Sequence, residues 1–140
     1  GCTNLTRAYD GAEQLLSWAR ERGIRVGITT NKPTPFAAKI VSAVGLGDHV
    51  EVIYGAGGDH PLKPDPAMLV AARDHLGGGE TLLVGDSLAD RDAASAAGMP
   101  FVAVRMGYNQ GEDIAESLDE GTPVFDDLRV LLSRLKEVSR

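Results

Sequence analysis

A chain of 140 residues with 43% hydrophobic and 24% charged residues has the composition of one globular domain, residues 1–140, large enough to bury a core. The formal net charge of −6 argues against nucleic acid or an anionic membrane as the main partner, and no apolar run approaches the ~18 residues of a membrane span. A single cysteine, Cys2, excludes an internal disulfide and, with no signal-peptide pattern at the start, points to a reducing cytoplasm.

The chain opens on Gly1 rather than methionine, as expected of a trimmed start or a piece of something longer. Asp10 with Glu13 three residues on reads as a capping box. Ala12, Leu15, Leu16 and Ala19 then keep helical spacing up to Gly23. The β-branched run Ile24 to Thr30 predicts a strand. Thr34 and Pro35 open a helix that carries Phe36, Ile40, Val41 and Val44 and closes at Gly45. Val50 to Gly55 is the next strand; Asp65 caps a helix that starts at Pro66 and ends at Gly77. A strand at Leu82 to Val84, an alanine-rich helix ending at Gly98 and a strand at Phe101 to Met106 follow. An acidic stretch, Glu112 to Glu120, leads to a short "PVF" run and a last helix with Leu128, Leu131, Leu132 and Leu135. Strands alternating with helices across short loops predict an α/β fold, a Rossmann-like parallel sheet with helices on both faces. Ligands of such sheets gather at the carboxyl ends of the strands, where Thr30, Asn31, Asp86 and Asp90 fall.

Asp86 lies just past its strand and Asp90 in the first turn of the next helix, so both can face one crevice. Two carboxylates so placed suit a hard divalent cation, Mg²⁺ first among them because it keeps its waters and needs few protein ligands. The same pair is equally well explained as a helix cap and a first-turn acid favoured by the helix dipole. Thr30 can offer a hydroxyl and Asn31 an amide to an anion, although both also fit a plain strand end before Pro33. Lys63, in "LKPDP", is a compact point charge suited to a phosphoryl oxygen; alone it reads as an exposed lysine before a turn. His49, His60 and His75 lack metal-ligand spacing and read as surface residues, and Trp18 falls off the apolar stripe of its helix.

Taken in order, "TNKPTPF", "LKPDP", "VGDSLAD…AAGMP" and "GYNQGE" resemble the haloacid dehalogenase superfamily, in its phosphoglycolate phosphatase branch, over essentially the whole chain. The resemblance implies a phosphomonoester hydrolase acting on a phosphorylated small molecule. It makes Thr30 and Lys63 the catalytic and phosphate-binding pair with Asn31 beside them, and Asp86 and Asp90 the carboxylates of a weakly held Mg²⁺. Ala89 stands where the family usually has an asparagine. The larger departure concerns the family's nucleophile and general acid, two aspartates of an Asp-x-Asp motif on a first strand near the N-terminus. "AYDGAE" and "FDDL" do not fit it, and the cap domain that selects the substrate is expected to be absent as well. The expectation is therefore a truncated core without turnover by itself, or a non-catalytic module acting through a protein partner or through itself.

In that family the missing first strand lies between the strand ending at Thr30 and the strand ending at Gly85. Its absence would leave two apolar strands with unpaired edges, a cost of about 1–3 kcal/mol for each buried orphan group. The expected remedy is that these two strands close up and pair directly, stabilised by self-association into a homo-oligomer through exposed strand edges.

Overall fold

The computed structural model describes residues 11–105 and 121–138; Cys2, Asp10, "GYNQGE" and the acidic stretch lie outside the described residues. Its elements run α1 (Ala12–Glu21), β1 (Gly27–Pro33), α2 (Thr34–Ala43), β2 (Val52–Ala56), α3 (Ala67–His75), β3 (Leu83–Gly85), α4 (Leu88–Ala97), β4 (Phe101–Val104), β5 (Val124–Phe125) and α5 (Leu128–Val138). A 3₁₀ turn, Gly47–His49, lies between α2 and β2. The alternation of strand and helix expected from the sequence is thus present, with boundaries moved by one to three residues.

The start of α1 departs from expectation. Its N-cap is Gly11 at φ 86°, with no side-chain cap hydrogen bond. A Cβ on Gly11 would stand 2.6 Å from Cγ of Arg129, so glycine is what allows α1 to begin against α5. At α3 the N-cap is Pro66, one residue later than expected, with no side-chain cap hydrogen bond; Asp65 precedes it, and its Oδ1 accepts from the backbone N–H of Ala67 at 2.9 Å.

The three-layer arrangement follows from which side chains each element buries. On one face Ala12, Val41, Leu46, Leu128 and Leu131 form a cluster with Val104, and Ile28, Ile53, Val84 and Val102 of the strands pack against it. On the other face Leu69 of α3 joins Ala93 and Ala94 of α4 and Met99, with Leu83 and Phe101 packed on them. Met68 and Leu131 are fully enclosed, one on α3 and one on α5. Strand residues therefore contribute to both clusters, which is the α/β sandwich the sequence predicts.

The strands do not join as expected. β1 pairs in parallel with β2 (Gly27 opposite Val52, Thr29 opposite Tyr54), and β3 pairs with β4 and β4 with β5, also in parallel. These are two sheets, β1-β2 and β3-β4-β5, and the direct pairing of the Thr30 strand with the Gly85 strand is not formed. Backbone direction shows why the two edges confront each other. The Val26 carbonyl accepts from Glu51 N–H, so Val26 faces β2 and, alternating, Gly27 and Thr29 face away from it. Likewise Leu83 N–H bonds to the Pro100 carbonyl beside β4, which turns Val84 away from β4. No residue of β1 or β3 is fully buried. Ile28 and Val84 remain half-buried although they belong to the apolar strands.

Candidate functional site

Four connections place the five candidate residues at the carboxyl ends of β1 and β3. Thr30 and Asn31 lie on β1, Lys63 in the loop from β2 to α3, Asp86 just past β3, and Asp90 in the first turn of α4. The side chains of Lys63 and Asp90 are each only 8% exposed and form an ion pair, Nζ to Oδ1. Lys63 Nζ also donates to the Thr29 carbonyl at 2.9 Å, the same carbonyl that β1 turns away from β2. One ammonium thus links the end of the first sheet to the helix that follows β3.

Asp90 is the only buried charged or polar residue among the described residues, and its remaining oxygen is fully occupied. Oδ2 accepts from Asp86 N–H at 3.2 Å and from Ser87 Oγ at 3.0 Å, while Ser87 Oγ accepts from Asp90 N–H at 3.2 Å. Ser87, not Asp86, is the N-cap of α4. Sequence reasoning passed over Ser87, although a serine three residues before an acid at a helix start is a capping-box spacing that could have found it. Gly85 was also missed: a Cβ there would stand 2.6 Å from Asp90 Oδ2, so only glycine lets the carboxylate fold back over the strand end.

Thr30 is half-buried, and its Oγ1 accepts from Lys32 N–H at 3.1 Å. Asn31 is exposed, yet both polar atoms of its amide are used on one residue. Nδ2 donates to the Lys63 carbonyl at 2.9 Å, and Oδ1 accepts from Lys63 N–H at 2.8 Å. The histidines do not all lie at the surface as expected. His49 is half-buried with its Nδ1 enclosed, and His60 is half-buried edge-on to Tyr54 at 5.2 Å. Both are drawn inward because imidazole packs as an aromatic body with a polar rim.

Asp86 is electrostatically uncomfortable. Burial first, and the neighbouring Asp90 carboxylate second, push its carboxyl above the ordinary 3.8. Because the pKa is raised in the fold, ionising Asp86 costs stability as pH rises from below 3.8 through the raised value. Asp86→Asn is therefore expected to raise the melting temperature at neutral pH in chelator, with the advantage shrinking toward pH 3; thermal scans across pH check this.

A carboxylate held unfavourably beside another is a place short of positive charge, and hard oxygen donors fit Mg²⁺. Asp86 is the donor best placed to hold such an ion, since Asp90 is committed to Lys63 and to the helix cap. Among the described residues no group of three or more His, Cys, Asp or Glu gathers around a common point, so water would complete the ion's shell.

Comparison with known proteins gives the family and the fold. A family model described as haloacid dehalogenase-like hydrolase matches residues 2–98. The chain is 38% identical over 130 residues to a phosphoglycolate phosphatase of Pseudomonas fluorescens, covering 91% of this chain and 47% of that protein. It is 33% identical to a phosphoglycolate phosphatase of Nitrosococcus oceani, covering 94% of this chain and 58% of that one. The chain thus spans about half the length of the curated relatives it matches. Among solved structures, one described as a predicted phosphoglycolate phosphatase from Haemophilus somnus superposes with a TM-score of 0.74 at 30% identity, over 88% of this chain and 55% of that one. A hydrolase of the same superfamily from Ehrlichia chaffeensis superposes with a TM-score of 0.73 at 20% identity, over 94% and 58%, a likeness of fold.

Proposed function

Since this chain belongs to the haloacid dehalogenase-like hydrolase family, we propose that residues 1–140 form one core domain of a Mg²⁺-dependent, phosphoglycolate phosphatase-like hydrolase. The observation that carries this reading is the convergence of Thr30, Lys63, Asp86 and Asp90 at the carboxyl ends of β1 and β3. In it the Thr30 hydroxyl and the Lys63 ammonium receive phosphoryl oxygens, and Asp86 holds the metal with Asp90 beside it. Bound Mg²⁺ would supply positive charge to the phosphoryl group. Asp90 aims Lys63, and Ser87 with Gly85 keeps Asp90 in place. A small phosphorylated molecule, 2-phosphoglycolate by likeness to the named relatives, is the substrate class, and the cytoplasm is the setting.

Calorimetric titration tests the metal assignment. Mg²⁺ is expected to bind weakly to the intact chain and not measurably to Asp86→Ala. Tight binding that survives Asp86→Ala would overturn it.

A second reading, a module that works through self-association, is favoured by one observation: β1 and β3 are edge strands of separate sheets and do not pair with each other. Such edges are templates for strand pairing, and a homo-oligomer would supply the missing partners. Light scattering on the purified chain is expected to give a mass above 14.8 kDa that grows with concentration. A constant monomer mass would rule this reading out.

A further inference from the structure

The amide of Asn31 is spent on the backbone of one other residue, and that residue carries the ammonium of the site. From this geometry we infer that Asn31 is a positioning residue: it clamps the Lys63 backbone to the end of β1 and thereby sets where the Lys63 ammonium lies. Nδ2 to the carbonyl at 2.9 Å and Oδ1 from the N–H at 2.8 Å reproduce the two bonds a neighbouring strand would make with Lys63. The clamp holds the β2–α3 loop at the residue whose side chain enters the site. Lys63 Nζ has to reach the Thr29 carbonyl, two residues before Asn31 on the same strand, and Asp90 Oδ1 on α4 at once.

Chain geometry makes both clamp bonds matter. Pro61 and Pro64 lie on either side of Lys63 and have no backbone N–H to donate, so the loop next to Lys63 has fewer donors of its own. Asp65 N–H bonds back to the Leu62 carbonyl, closing a turn around Lys63 without fixing that turn to the sheet. Asn31 supplies the fixing contact. Glutamine would add a methylene and misplace the amide, and aspartate could accept from Lys63 N–H but could not donate to its carbonyl. Asparagine at this position therefore answers to the Lys63 backbone, which deepens the proposed function by separating the group that meets phosphate from the group that aims it.

The test reads Lys63 alone. The 140-residue chain is acetylated briefly with a soluble succinimidyl ester, and each lysine is quantified by mass spectrometry. Lys39 and Lys136, both exposed, serve as internal standards. In the wild type Lys63 should label far more slowly than either. Loss of two hydrogen bonds of ordinary strength corresponds to roughly a thirtyfold change in the opening equilibrium. Asn31→Ala should therefore raise Lys63 labelling about thirtyfold relative to the standards. Asn31→Asp, which keeps one of the two bonds, should fall between. Circular dichroism and melting temperature establish that each variant is folded; should Asn31→Ala not fold, Asn31→Asp carries the comparison. Unchanged Lys63 labelling in a folded variant would overturn the assignment. The outcome is independent of the phosphatase reading, which fails instead if Lys63→Ala leaves the affinity for inorganic phosphate unchanged.

Discussion

Lys63→Met should lower unfolding stability by about 3–5 kcal/mol, the loss typical when one partner of a buried ion pair is removed. Lys63 and Asp90 are each 8% exposed, so water cannot take over the role of the missing ammonium. Methionine preserves the length and apolar stem of lysine, which confines the change to charge and hydrogen bonding. The Thr29 carbonyl loses its donor at the same stroke. A domain of this size holds only ~5–15 kcal/mol in total, so the variant should be partly unfolded near room temperature or unfold at much lower urea. Adding Asp90→Leu to Lys63→Met should recover part of the loss by removing the orphaned charge. Recovery stays incomplete because Ser87 Oγ and Asp86 N–H then lose their acceptor. A loss below about 1 kcal/mol in urea titration would mean that the pair behaves like an exposed one.

Much of this architecture was readable from the sequence because its punctuation is local. Gly98 closes α4, Pro35 stands at the start of α2, and β-branched runs end at the site residues. Each signal depends on neighbours within four residues, and the structure keeps each of them. What failed depended on distant contacts. Whether β1 pairs with β3 is decided by helices packed over both sheets, and no short stretch of sequence reports that packing. The cap at α1 failed for a similar reason: Gly11 is required by Arg129, 118 positions away in the chain. At the site, residue types were legible and their partners were not. Asn31 has the donors for an anion, and only the fold shows its amide bound to the Lys63 backbone. Asp86 and Asp90 looked equivalent as carboxylates, yet one is ion-paired with Lys63 and the other has its carboxyl pushed up by burial and by that neighbouring carboxylate.

The same distinction bears on turnover. Covalent phosphoryl transfer requires a positioned nucleophile as well as groups that steady the phosphate. The sequence has one Asp-x-Asp spacing, Asp90 with Asp92, and it lies within α4. Asp90 there is already bound to Lys63 and to the helix start, and Asp92 pairs with Arg91. Neither is available to attack a phosphoryl group held by Thr30 and Lys63. Removing a nucleophile from an otherwise intact site costs roughly 10⁴–10⁶ in rate. The measurement that bears most directly on the proposed function is therefore a steady-state assay of the purified chain with Mg²⁺ on 2-phosphoglycolate and on an aryl phosphate. Phosphate release is expected at background for both. Mg²⁺-dependent release that co-purifies with the chain and disappears in Asp86→Ala would contradict it, and would mean that a nucleophile exists among these 140 residues.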